Sequence, residues 1–294
     1  MTNASFPYKA AIFDLDGTLL NAEHKLGDLT IKTLKQCTNL GVDIFIATGR
    51  NYPDVYKMVK KLAIDDVVLV TSNGARADFL NGKKVLHHYI EPNIAKGLFQ
   101  TPFDTTKVYL NSYQGDDWFI NQPVPEWQQY FAESGYSYKL TDFNTQHTQA
   151  VEKIFFIAKD VDNPIGLAPV EAYVTQHFAD VVQITHSMPT CFELMAKGVN
   201  KGKTLSELTA MRGYALSDCI AFGDGMNDIE MLQSVGKGCV MANADQKVKD
   251  TLPKLEVIGN HKQEAVAQYL QNLLAKPQYC DSLYRLHNKN KKSL

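Results

Sequence analysis

Apolar residues fall in two rhythms along this chain. Three short apolar runs, KAAIF (9–13), VDIFIAT (42–48) and VVLVTS (67–72), have the composition of strands buried on both faces. Between them the spacing becomes helical. One helix is expected from Asp28 as N-cap, with Ile31, Leu34, Cys37 and Leu40 along one side and Gly41 as its stop. A second carries Pro53 in its first turn and Val55, Met58, Val59 and Leu62 on one face. This βαβαβ order predicts a doubly wound α/β fold with a parallel sheet.

The same order returns after residue 200. A helix bearing Leu205, Leu208 and Met211 ends at Gly213, and strand CIAF, a helix from about Asn227, strand GCVMA and a terminal helix with Val266, Leu270 and Leu273 follow. In between, strand-like runs (KVYLNSY, WFINQ, EKIFFIA, VVQITHS) alternate with polar, proline-containing loops and at least two helices, the grammar of an α+β unit. The chain is therefore expected to form one discontinuous core domain, 1–82 and 190–280, with an α+β domain inserted at 83–189 and a basic tail at 281–294. Aromatic residues on the inserted strands, Tyr113, Trp118 and Phe119, are candidates for pocket lining, with core packing as the competing role. His87 and His88 are adjacent, so at most one of them is expected to face a cleft.

Composition narrows the function. The 294 residues are 45% hydrophobic and 21% charged, with a net charge of −2 and a pI near 6.4, which gives no global attraction to nucleic acid or anionic membrane. Five scattered cysteines without a C-x-x-C pair suggest neither a disulfide framework nor a zinc knuckle. The N-terminus has no secretory pattern and no apolar run is long enough to span a bilayer, so the expected setting is cytoplasmic, with no nucleic-acid or membrane partner and a monomer or weak homo-oligomer.

The candidate chemistry lies where predicted strands end. In IFDLDGTLL, Asp14 and Asp16 stand two apart where the first strand runs out, a spacing that is expected to point both carboxylates the same way and Leu15 to the opposite face. In CIAFGDGMNDIEML, a glycine-rich loop invites a dinucleotide reading, but Asp224 lies between its first two glycines and Asp228 replaces the third. Ligands of open α/β sheets bind at the carboxyl ends of the strands, so four carboxylates are expected to converge there. Such a cluster would repel itself unless a cation lay among the groups, and an all-oxygen set suits Mg²⁺. An aspartate so neutralised can attack phosphorus while a second carboxylate moves the proton. IATGR adds Thr48 and the backbone around Gly49 as neutral phosphate donors, and KGVNKGKTLSEL adds a cation. The latter imitates a P-loop, but Lys197 stands where its first glycine belongs, which leaves Lys201 as the fixed charge opposite a transferred phosphoryl group.

In this order and spacing, DLDGT, ATGR, NKGK and GDGMND resemble the haloacid dehalogenase superfamily, in particular its Cof-type phosphatases with a C2-type cap, over nearly the whole chain. The resemblance implies a Rossmann-like core with Asp14 as nucleophile and Asp16 as general acid/base. Thr48, Gly49, Lys201, Asn227 and Leu15 would hold phosphate or substrate. Mg²⁺ would be held by Asp224, the Asp14 carboxylate and the Asp16 backbone carbonyl, with Asp228 in support. Only about thirty residues separate the first two motifs and roughly a hundred and fifty the next, which places the cap in the second interval. TSNGARADF and NSYQGDDWFINQ are similar to pyridoxal-phosphate phosphatases of the family, so a small phosphate ester is the expected substrate, pyridoxal 5′-phosphate first and sugar phosphates second. A phosphomutase or other phosphotransferase of the superfamily is the alternative chemistry. A phospho-accepting signalling or binding module is the alternative class, against which the large insertion argues.

Overall fold

The computed structural model describes residues 6–130 and 135–275. The expected basic tail and Cys280 lie outside that range. In chain order the elements are β1 (Ala10–Phe13), α1 (Asp28–Asn39), β2 (Asp43–Ala47), α2 (Tyr52–Val59), β3 (Val68–Thr71), β4 (Arg76–Phe79), β5 (Lys84–His87), α3 (Pro92–Phe99), β6 (Val108–Gln114), β7 (Asp117–Ile120), α4 (Pro125–Tyr130) and β8 (Lys139–Leu140). Then come β9 (Val151–Ala158), α5 (Ala168–Phe178), β10 (Val182–Met188), β11 (Cys191–Ala196), α6 (Lys201–Met211), β12 (Cys219–Gly223), α7 (Ile229–Ser234), β13 (Lys237–Met241), α8 (Gln246–Thr251), β14 (Glu256–Ile258) and α9 (Ala265–Leu274).

Eight strands form the core sheet in the order β14-β13-β12-β1-β2-β3-β4-β5, parallel from β14 to β3 and antiparallel at β4 and β5. Alternate residues of each strand feed opposite layers. Ala11, Phe13, Ile44, Ile46 and Phe222 pack under α1, α2 and α9, while Ala10, Ile12, Phe45 and Ala221 pack under α6, α7 and α8. After β1 the chain runs outward to β2 and β3, and after the insertion it returns on the other side of β1 as β12. The carboxyl ends of β1 and β12 are therefore the point where the strand order reverses, a crevice that open α/β sheets use for ligands.

A six-stranded sheet, β10-β11-β9-β6-β7-β8, makes the body of the cap, with α3 and α5 over its outer face. Its extent differs from the sequence expectation at both ends. Lys84–His87 pairs with β4 and so extends the core sheet past residue 82, while Cys191–Ala196 pairs with β9 and β10 and so extends the cap past residue 189. The start of α1 also differs. Gly27, not Asp28, precedes the helix, and the Glu264 carboxylate caps it from across the fold through the Thr30 N–H and hydroxyl, both at 2.8 Å. Among the described residues no helix is long and apolar enough to cross a membrane.

Cap and core meet through buried polar groups. Asn51, the N-cap of α2, donates to the Tyr136 hydroxyl of the cap at 2.5 Å, and Ser72 donates to Glu152 of β9 at 3.1 Å. Arg76 bonds Asp78 and Asp116, each at 2.6 Å, and stands 3.8 Å from Glu152. Glu152 is fully buried and its Oε1 has no hydrogen-bond partner. Burial pushes its carboxyl up to about 7, against the opposing pull of Arg76, Ser72 and His87, and Asp78 pushes it the same way as burial.

The unfolded chain releases this proton in the ordinary carboxyl range, before the folded chain does. Stability therefore falls by up to about 3 kcal/mol as pH rises toward 7. Glu152→Gln keeps the Ser72 bond and is expected to melt above wild type at pH 8, with a far smaller difference near pH 5. Thermal denaturation across pH reads this, and an equal or lower melting temperature at pH 8 would show that Arg76 already compensates the ionised carboxylate.

Candidate active site

The strand order brings the two acidic motifs side by side. Asp14 continues β1 by one residue, with its N–H on the Phe222 carbonyl of β12 at 2.9 Å, and Asp224 follows the end of β12 directly. Lys201, the first residue of α6, is fully buried and donates to Asp14 Oδ1 and Asp228 Oδ1, each at 2.6 Å. Lys203 points away to solvent and pairs only loosely with Glu207 at 3.5 Å, while Asn200 caps the helix by accepting the Lys203 N–H. The P-loop imitation is thus a helix cap that aims Lys201 inward.

Oxygen atoms of Asp14, Asp224 and Asp228 all lie within 4.8 Å of one another. Asp228 also locks its own loop, since Oδ2 accepts the N–H groups of Asp224 at 3.0 Å and Gly225 at 2.9 Å. Three carboxylates against one ammonium leave negative charge in surplus, and the protonation equilibria register it. The Asp14 carboxyl is raised well above its ordinary range, first by burial and then by Asp228 and Asp224, with Lys201 opposing. Asp224 is pushed up to about 7 by burial and Asp228, against the Thr18 hydroxyl and Lys201. Burial disfavours the Lys201 ammonium, yet Asp14 and Asp228 outweigh it and raise its pKa. Hard oxygen donors held close with excess negative charge fit a hard divalent cation, and Asp14 and Asp224 are the carboxylates placed to hold one.

Asp16 departs from the expected convergence of four carboxylates. The strand ends at Phe13, and residues 15–19 form a tight turn in which Gly17 has φ of +76°. The two-residue alternation no longer applies there, and Arg50 takes both Asp16 oxygens as a fork at 2.6 and 2.7 Å. Arg50 in turn reaches buried Asp54 at 2.6 Å. Leu15 turns its side chain wholly into the core, so it faces a ligand through its backbone alone. Thr48 is buried and its Oγ1 accepts the Arg50 N–H at 3.2 Å. Asn227 donates to Asn73 Oδ1 at 2.9 Å, and the Gly49 carbonyl accepts from Lys153 of the cap at 2.6 Å.

Several participants were not singled out from sequence. Thr18 donates to Asp224 Oδ1 at 2.6 Å, and Asn243, in the loop after β13, donates to the Gly17 carbonyl at 2.7 Å. Arg50, Asn73, Lys153 and Glu193 complete the surround. Trp118, offered as a pocket residue, is cap core instead: it is 2% exposed and its indole N–H is bonded to Asn111. Phe119 packs with the opposite face of the cap sheet. His87 is held by Asp78 and Tyr89, and His88 stands 3.5 Å from Glu207.

Comparison with known proteins places this geometry. Residues 11–270 match the family model of haloacid dehalogenase-like hydrolases. A Haemophilus influenzae protein provisionally named a phosphatase is 47% identical over 91% of this chain and 97% of its own. An HMP-PP phosphatase of Yersinia pseudotuberculosis is 33% identical over 92% and 97%. Among solved structures, a haloacid dehalogenase-like hydrolase from B. subtilis superposes with a TM-score of 0.78 at 22% identity, over 90% of this chain and all of that one. A sugar phosphatase of haloacid dehalogenase subclass IIB gives 0.74 at 22%, over 90% and 98%.

Gly17 is where backbone and site are most tightly coupled. A Cβ there would stand 2.2 Å from Asp224 Oδ2, on a backbone of φ +76°. Gly17→Ala is expected to cost more than about 1 kcal/mol in chemical denaturation, because the strain and the collision add. Wild-type stability in that variant would mean that the turn can relax away from Asp224.

Proposed function

Since the chain belongs to the haloacid dehalogenase-like hydrolases and is a phosphatase of that family, we propose that it is a Mg²⁺-dependent phosphomonoesterase that works through an aspartyl-phosphate on Asp14. The observation that carries this reading is the Lys201 ammonium fixed between Asp14 and Asp228 with Asp224 alongside, at the reversal point of the sheet. When bound, Mg²⁺ supplies charge neutralisation for the phosphoryl group and the nucleophile.

The chain's own residues do the rest. An Asp14 oxygen attacks phosphorus, the bond from phosphorus to the ester oxygen breaks, and Asp16 gives that oxygen its proton. Asp16 then removes a proton from water, whose oxygen attacks phosphorus, releasing inorganic phosphate and restoring the Asp14 carboxylate. Lys201 opposes the charge that builds on the phosphoryl oxygens, with Thr48, the Gly49 loop and Asn227 as neutral donors. Asp228 positions Lys201 and the loop that carries Asp224. Arg50 keeps Asp16 turned out of the carboxylate cluster in the ligand-free enzyme.

The substrate is a small phosphorylated metabolite, with pyridoxal 5′-phosphate first and sugar phosphates second. The cap supports a small ester over a polymer because its closed face, bonded to the core through Asn51, Ser72, Asn73 and Gly49, leaves a phosphate loop covered from above. Hydrolysis is preferred over phosphomutase chemistry because the relatives that align over nearly the whole chain are named phosphatases.

Release of inorganic phosphate from phenyl phosphate should require Mg²⁺ and stop with chelator. Asp14→Asn should abolish turnover, Asp16→Asn should cost about 10²- to 10⁴-fold, and Lys201→Ala about 10²- to 10³-fold, far more than Lys203→Ala. Full activity of folded Asp14→Asn, or Mg²⁺-independent turnover, would overturn the assignment.

A further inference from the structure

The inner face of the cap sheet carries a second buried lysine for which the mechanism has no use. Cross-strand pairing puts Tyr113 opposite Lys153 and Phe155 opposite Glu193, so all four side chains lie on one face. The Lys153 side chain is 3% exposed and its ammonium makes a 2.6 Å salt bridge to Glu193 Oε1. It sits 4.8 Å from the ring centre of Tyr113 and 4.5 Å from that of Phe155. The other oxygen of Glu193 is taken by Asn73, and Asn73 by Asn227 of the acidic loop, at 2.9 Å each. The second hydrogen bond of Lys153 goes to the Gly49 carbonyl, beside Thr48 in the phosphate loop.

An ammonium taken out of water is costly unless its partners are strong. Besides the Glu193 carboxylate, the Lys153 ammonium ends on a neutral main-chain oxygen that belongs to the core and not to the cap. An anionic oxygen delivered at that place is the stronger acceptor and would displace the carbonyl. Gly49 adjoins Arg50, which holds Asp16, the residue proposed above as proton donor for the leaving oxygen. Lys201 is committed to Asp14 and Asp228 and stands at the nucleophile.

We propose that Lys153, seated by Glu193, is the cap's substrate contact and selects phosphate esters whose leaving group carries an ionised oxygen over esters of neutral alcohols. This rests on the phosphatase reading above. The ionised oxygen has two sources, a ring phenolate such as that of pyridoxal 5′-phosphate, or the organic phosphate that leaves when the terminal anhydride bond of an organic diphosphate is broken. Hexose phosphates offer neither.

The test compares kcat/KM with Mg²⁺ for pyridoxal 5′-phosphate, ethyl diphosphate, glucose 6-phosphate and phenyl phosphate. Wild type should favour one of the first two over glucose 6-phosphate by about tenfold or more. Which one it favours identifies the source. Lys153→Met should erase that preference mainly through KM, and Lys153→Arg should retain most of it. Equal losses on all four esters in Lys153→Met would make the residue structural and overturn the proposal. A wild-type preference for glucose 6-phosphate overturns it without any variant, should Lys153→Met fail to fold. Turnover of none of the esters, phenyl phosphate included, would instead fail the underlying function, and this inference with it.

Discussion

Asp14, Asp224 and Asp228 share one pocket with a single fully buried ammonium, and the surplus of negative charge among them is the condition the surrounding structure serves. Left alone, like charges this close would disperse the loops that carry them or remain protonated. The fold prevents dispersal by anchoring each group in regular structure. Asp14 is tied to the β12 ladder, Lys201 opens a capped helix, and Asp228 accepts two N–H groups of its own loop. Burial first, and then the neighbouring carboxylates, raise the protonation equilibria of Asp14 and Asp224, against the pull of Lys201. A substrate phosphate adds to that surplus, so a cation is the natural complement of both.

The cap is joined to the same problem. Lys153, Glu193, Asn73 and Asn227 make a continuous chain from cap strands β9 and β11 to the acidic loop, with a branch to the Gly49 carbonyl. The cap thus holds a second positive group against the Gly49 carbonyl and ties the orientation of Asn227 to the position of the cap. Groups that bond one another in the ligand-free enzyme are those a ligand would have to separate, so polar satisfaction of the closed state and substrate recognition draw on the same atoms.

The sequence was legible where chemistry is local. Apolar runs marked the parallel strands, and acidic residues immediately after two of them marked the site, because strand ends at one edge of a parallel sheet are neighbours in space. What escaped depends on pairing across long separations. Arg50 follows Thr48 and Gly49 and reads as the start of a helix; nothing nearby signals that its fork closes on Asp16. Thr18 reads as a turn residue and Asn243 as a loop residue, and only the juxtaposition of β1, β12 and β13 joins them to Asp224 and Gly17. Lys153 and Glu193 did carry a signal. Each is a charged residue in a strand rich in apolar residues, on the face that also carries Tyr113 and Phe155.

The central claim is that the carboxylate cluster is a cation site held ready by the fold, and calorimetric titration of Mg²⁺ into the substrate-free enzyme tests it most directly. The account predicts binding of one Mg²⁺ per chain to wild type and its loss in Asp224→Asn, with the circular dichroism of the variant unchanged. Failure of wild type to bind Mg²⁺, or an isotherm unaltered by Asp224→Asn, would contradict it.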